Sequence, residues 1–360
     1  MDFALSEEQQ FLKQTVDHLL RDQCSLDVVR ADATEKQTKN PSLYDGLTQI
    51  GIPGTLISED YGGVGLRLLD AALIAESLGG SVATVPFIGS SVLAPIAIEL
   101  AGSDEQKNVW LPRFASGEIT CGVALGDHVG ARDNDPITSD GASVSGRSMF
   151  ALDIQNADVM LVATADCELH LVERSEVELK PLYTIDKTRS VGELVFEKSS
   201  SEPLSSTSDP SGTLAKVIDA GRVVVAADTL GAGQTMLDKA VAYAGERQQF
   251  NRVIGSFQAV KHMCAEMAAE LEPCRSLVWY AAHAYDAIPE DARLTACHAK
   301  AHLAEVGRFV ARKATEVHGG MGFTDLLGLH YWFKRIELNR QLLGTPEFVR
   351  NEAAKMQGWV

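Results

Sequence analysis

Tyr243-Ala-Gly-Glu-Arg247-Gln-Gln-Phe250-Asn-Arg252-Val-Ile254-Gly255-Ser-Phe257-Gln258 is the stretch from which the fold reads outward. A helix ends near Arg247, a turn containing Gly255 follows, and the next helix begins near Phe257. An Arg on the last turn of one helix and a Gln on the first turn of the next are placed to face an anionic ligand across that corner. On spacing alone a second reading stays open, in which Arg247 is a C-cap cation and Gln258 a polar helix start.

Helical texture surrounds this corner. Leu214 to Ala244 is apolar nearly all round, which predicts a helix buried inside a bundle. Further helices are expected over Phe257 to Tyr285, Arg293 to Val317 and Leu329 to Leu343. At the start of the chain, Ser6 and Gln9 form a capping-box pattern, with Leu12, Val16 and Leu19 on one helix face behind it. Gly62-Gly63 and Gly65 read as a loop, Leu68 to Leu78 as a helix, and a helix carrying Trp110 is expected to end near Pro112. Between about residues 118 and 205 the texture turns to short β runs, Val159 to Ala163 and Glu193 to Phe196. Turn residues at Gly130, Asp133 to Pro136 and Asp140-Gly141 separate them. The Ser- and Pro-rich stretch Ser199 to Ser211 reads as a linker. The fold class is therefore mainly α with a small β domain: an N-terminal helical domain over 1–117, a β domain over 118–210 and a helical bundle over 211–360.

Bulk properties exclude several roles. The net charge of -17 repels nucleic-acid phosphates and anionic lipid, so no nucleic-acid or membrane partner is expected. A local basic site is still able to bind a phosphorylated cofactor. The six cysteines (Cys24, Cys121, Cys167, Cys264, Cys274, Cys297) contain no CxxC pair, and no metal site follows from their spacing. Reduced thiols, no signal-peptide pattern at the start and no long apolar run lead to the expectation of a soluble, cytoplasmic protein.

A second informative stretch is Val317-His318-Gly319-Gly320-Met321-Gly322-Phe323-Thr324. Gly-rich turns leave backbone N–H groups approachable by a pyrophosphate, although a Gly also simply stops a helix. Together, Arg247-x-x-Phe250-x-x-x-Ile254-Gly255-x-Phe257-Gln258 and the His318 to Thr324 turn strongly resemble the acyl-CoA dehydrogenase family. Asp2-Phe3-x-Leu5-Ser6-Glu7-Glu8-Gln9, Glu59-Asp-Tyr61-Gly62-Gly63, Trp110-Leu111-Pro112 and Ser116-Gly117 carry the same resemblance, in the family's order. It implies an N-terminal helical domain, a middle β-barrel-like domain and a C-terminal four-helix bundle. It also implies FAD as cofactor and introduction of an α,β-double bond into an acyl-CoA substrate. Arg247, Phe250 and Gln258 would then meet the ADP half of an FAD held by a neighbouring subunit. His318, Gly319, Gly320 and Gly322 would line the same half, and Thr345 would lie beside the cofactor.

The family's catalytic residue is a Glu that takes the α-proton, seated either just before a Gly-Thr pair or just before an Arg on the long helix. Those seats correspond here to Leu343 and Gly221, so neither holds a carboxylate. Asp219 and Asp228 lie on the same helix. The spacing of Asp219 to Arg222 suits an ion pair, and an Asp as buried as Asp228 needs a hydrogen-bonding partner or a catalytic role. The flavin-ring segments of the family correspond to Ala124 to His128 and Phe150-Ala151-Leu152, where hydroxyl donors are missing and Phe150 is left to pack on a ring. A degraded ring site beside a kept ADP clamp points to a supporting subunit. Its partners would be a homologous acyl-CoA dehydrogenase subunit, as in heteromeric bacterial steroid-degrading members, with an electron-transfer flavoprotein as acceptor. A self-sufficient homomer with an Asp base, or a scaffold that kept only the fold, are the alternatives. His262, His318 and the cysteines need no catalytic role, and Lys334 and Arg335 beside Tyr331 read as a solvated helix face.

Overall fold

The computed structural model describes residues 4–131 and 135–360. Asp2, Phe3, Asp133 and Asn134 lie outside the described residues. Helix α1 (Glu7–Gln23) starts where the capping box places it: the Ser6 N–H donates to Gln9 Oε1 at 3.1 Å and the Gln9 N–H donates to Ser6 Oγ at 3.2 Å. Five more helices follow: α2 (Leu26–Glu35), α3 (Pro41–Gln49), α4 (Leu68–Gly80), α5 (Ala94–Ala101) and α6 (Asp104–Ala115), with a π-helical turn at Ile88–Leu93 before α5. Helix α6 runs through Pro112 rather than ending there. Pro112 sits on the exposed side, where water satisfies the carbonyl it leaves free, while Phe114 on the buried side keeps the last turn packed.

Eight strands then form one sheet: β1 (Cys121–Ala124), β2 (Thr138–Ser139), β3 (Ser143–Leu152), β4 (Val159–Ala163), β5 (Leu169–Glu173), β6 (Glu178–Pro181), β7 (Val191–Ser200) and β8 (Glu202–Leu204). The order is β6-β7-β3-β1-β4-β5-β8, with β2 beside β3, and only the β1–β4 pair is parallel. The Ser199 to Ser211 stretch is not a plain linker. Its first residues complete β7, and β8 pairs with β5 because Glu202 is anchored by Gln106 Nε2 at 2.7 Å and Trp110 Nε1 at 3.1 Å.

The C-terminal bundle contains α7 (Pro210–Glu246), α8 (Gln258–Ala287), α9 (Pro289–His318) and α10 (Leu329–Gln341), with α11 (Pro346–Met356) against α9. Helix α7 is buried along most of its length, since α4, α8, α9 and α10 all pack on it. Its crossing with α4 is a backbone contact. A Cβ on Gly231 would stand 1.8 Å from the Glu76 carbonyl oxygen, and one on Gly79 would stand 2.0 Å from that of Asp228.

One ionic network joins the helices to the sheet loops. Asp228 of α7 accepts from Arg189 Nη2 at 2.8 Å, Arg335 Nε and Nη2 at 3.1 Å each, and Asn339 Nδ2 at 2.6 Å. Arg335 also donates to Thr188 Oγ1 at 2.8 Å and to the Ala83 carbonyl at 3.2 Å. Arg335 is thus not on a solvated face: it is 2% exposed, and the neighbouring Tyr331 is buried too. A charged residue in a helical pattern reads as solvent-facing by default, and only the partner on α7 explains its burial.

Candidate functional site

Strands β1 and β3 meet the loop between α10 and α11 around a cavity of about 120 Å³. Val123 and Leu152, directly opposed across β1 and β3, form one wall. A β-bulge between Ser148 and Ala151, with Phe150 at φ 56°, turns the Phe150 side chain into the same space. Leu342 and Leu343 close the opposite side, and Thr345 lies at the edge. Among the described residues Thr345 carries the one side-chain hydroxyl in this lining, and its Oγ1 already accepts the Phe348 N–H at 3.3 Å as the N-cap of α11.

This space fits an isoalloxazine poorly. An apolar cavity of about 150 Å³ holds a single benzene ring, and the present one is smaller, with leucines where a ring system would need donors. Among the described residues, Gln341 and Thr345 are the polar side chains that line it.

Gly221 and Leu343, the two positions expected from the resemblance to correspond to the family's base seats, meet in space. A Cβ on Gly221 would stand 2.5 Å from Leu343 Cδ1 and 2.9 Å from Leu93 Cδ2. The point is filled by hydrocarbon. Contrary to the expected helix over Leu329 to Leu343, α10 stops at Gln341, and Leu343 adopts φ 55°. Two buried basic side chains hold that turn. Arg222 Nε donates to the Leu343 carbonyl at 3.0 Å, and Lys300 Nζ donates to the carbonyls of Gly344 at 3.1 Å and Arg340 at 3.2 Å. Burial pushes the Lys300 amine down to about 7. Sequence reasoning missed Lys300; its signal is a lone cation between Ala299 and Ala301 on the buried face of α9.

Neither aspartate on α7 is positioned as a base in this cavity. Burial alone drives the Asp228 carboxyl up, but Arg189 and Arg335 outweigh it and hold the group below the usual range. With four donor groups on its two oxygens it is a structural anion. Asp219 pairs with Arg222 at 3.5 Å, and burial pushes it up to about 7 against the pull of Arg222 and Arg293. Neither residue lines the cavity.

The other group of expected residues gathers at a separate, exposed corner. Arg247 caps α7, and a two-residue-wide hairpin of β9 (Gln248–Gln249) and β10 (Arg252–Val253) follows. Phe250 and Asn251, at φ 54° and 60°, form its turn. This hairpin was not legible in the sequence, because ladders so short carry no periodicity. It leaves Phe250 86% exposed, in edge contact with Phe257, whose ring also carries the Arg252 guanidinium 3.8 Å from its centroid. Gln258, the first residue of α8, is exposed. One turn back, Tyr243 stacks on His318 with ring centroids 4.6 Å apart, tying this corner to the glycine turn. His318 Nδ1–H donates to the Ala314 carbonyl at 2.7 Å, and burial lowers the pKa of the ring. Nothing lies within 4 Å of a Cβ on Gly319 or Gly320, so their backbone is approachable, whereas Gly322 is packed against the Thr315 carbonyl. This corner is exposed, carries two arginines and offers approachable backbone N–H groups, a chemistry suited to an anionic ligand.

Family models match on both sides of the sheet: the acyl-CoA dehydrogenase N-terminal domain over residues 6–118 and the acyl-CoA dehydrogenase C-terminal domain over residues 212–357. The chain belongs to the acyl-CoA dehydrogenase family. It is 29% identical over 345 residues to acyl-CoA dehydrogenase IpdE2 of Mycolicibacterium smegmatis, covering 95% of this chain and 96% of that protein. Among solved structures it is similar to the ChsE4-ChsE5 complex from Mycobacterium tuberculosis, with a TM-score of 0.89, 26% identity and 100% of each chain covered. It is equally similar to a variant of the Tcur3481-Tcur3483 steroid ACAD, with a TM-score of 0.89, 26% identity and 98% of each chain covered. No helix among the described residues is long and apolar enough to cross a membrane, and no cluster among them is arranged to hold a metal ion.

Proposed function

We propose that this chain is the supporting subunit of a heteromeric, FAD-dependent acyl-CoA dehydrogenase. Its Arg247, Phe250, Gln258 and His318 to Gly322 corner covers the ADP half of an FAD whose ring is held by a homologous catalytic subunit. When bound there, FAD supplies the hydride acceptor for forming an α,β-double bond in a CoA thioester, with an electron-transfer flavoprotein downstream. The observation that carries this reading is the asymmetry between the two half-sites. Leu343 and Leu93 crowd the point beside Gly221 and the neighbouring cavity is small and mostly apolar, while the Arg247 corner is exposed. Further support comes from relatives whose own solved structures are described as two-component assemblies.

The test is FAD content per chain, for the protein purified alone and with a homologous subunit. No flavin alone and one FAD per unlike pair is the expected result. One FAD per chain for the isolated protein overturns the reading.

A further inference from the structure

We propose that the cleft between the end of α2 and the β6–β7 loop is a second ligand site, built for a ring-bearing organic carboxylate. It lies apart from the residues assigned above. Its volume is about 360 Å³, within the roughly 300–1,000 Å³ of small-molecule sites.

The walls are fixed to one another. Gln155 Nε2 donates to the Lys36 carbonyl at 3.0 Å, and the Gln155 N–H donates to Ser190 Oγ at 3.1 Å. The cleft therefore joins the N-terminal helices to the sheet through hydrogen bonds, and it is present without any movement.

Its chemistry is divided. Ile154, Leu179, Leu182 and Val191 give an apolar bed for a ring system. Tyr183 stands at the rim, 82% exposed, with Lys36 Nζ 4.6 Å from its ring centroid. Lys36, Lys187 and Arg189 all line this one cleft, in a chain of net charge -17. Arg189 is the decisive group. Its side chain is 3% exposed and its Nη2 is committed to Asp228, yet its Nε makes no hydrogen bond within the protein. A buried guanidinium N–H calls for an acceptor, and a carboxylate supplies one of the charge it prefers. One anion also faces the cleft. Asp186 accepts from the Thr188 N–H and Oγ1 through Oδ1, and its Oδ2 is buried and unpartnered, an acceptor for which a ligand hydroxyl is the matching donor. An apolar ring, a carboxylate and a hydroxyl are the chemical complements of this lining.

The probe is 6-hydroxy-2-naphthoate, titrated into the purified full-length protein and followed by equilibrium dialysis. Saturable binding is expected, weakened at least about tenfold in Lys187→Gln and in Tyr183→Ala and unchanged in the distant Lys216→Gln. Tyr183 is exposed and Lys187 belongs to the same surface loop, so these variants keep the fold, which thermal melts verify. Absence of saturable binding overturns the proposal. So does equal affinity for 2-naphthol, which lacks the carboxylate, or undiminished binding in both variants.

Discussion

Leu343 Cδ1 lies 2.5 Å from where a Cβ on Gly221 would be built, so the two positions occupy a single point in the fold although they are far apart in the chain. The obstacle is the end of a flexible side chain. Gly221→Ala is therefore expected to destabilise the protein by about 1–3 kcal/mol, and Leu343→Ala in the same chain should relieve part of that loss. Denaturant unfolding of both single variants and the double variant measures the coupling. Strict additivity would mean that the two side chains do not compete for this space.

Asp228→Asn keeps the shape of the side chain and removes the charge that Arg189 and Arg335 share. Two buried guanidiniums would lose the carboxylate that both are hydrogen-bonded to and keep only the more distant Asp153 and Asp186, a defect worth about 3–5 kcal/mol. Urea unfolding should reveal a loss of that size. A neutral outcome would show that Asp228 is not the anion holding this network.

Lys300 predicts a specific pH dependence. Its amine is pushed by burial from the ordinary lysine value of 10.5 down to about 7 in the folded protein. Between those values the unfolded chain binds a proton that the folded one lacks, so this group adds stability as pH rises and loses it as pH falls towards 7. The contribution is of the order of 1 kcal/mol per pH unit. Unfolding free energies at pH 7.5 and 9.5 should rise more steeply in the wild type than in Lys300→Met. Parallel slopes would show that Lys300 stays charged in the fold.

Arg247→Ala tests the proposed clamp. Arg247 is exposed and contributes little to packing, so the melting temperature should change little. Loss of a charge-assisted hydrogen bond worth about 1.5–3 kcal/mol should weaken FAD retention in the co-purified heteromer roughly tenfold or more. Flavin absorbance after extensive dialysis provides the readout. Full retention would remove Arg247 from the cofactor interface.

Much of the architecture was legible because it rests on local chemistry. Ser6 and Gln9 satisfy backbone donors within one turn, and the apolar surround of α7 leaves a bundle interior as its only stable place. Leu343 and Gly221 were singled out from their places in the sequence, but their contact was not legible there. What escaped was tertiary. Arg335 and Asp228 explain each other only once α10 packs on α7, and Lys300 finds its acceptors in a loop from another part of the chain. The Phe250–Asn251 hairpin escaped for the opposite reason, being too short to imprint any pattern.

The α4–α7 crossing has a mechanical consequence. Where Gly79 and Gly231 bring two helix backbones together, no side chain is left to change rotamer and let one helix slide along the other. The amino-terminal helices and the carboxy-terminal bundle are therefore latched into one stiff frame.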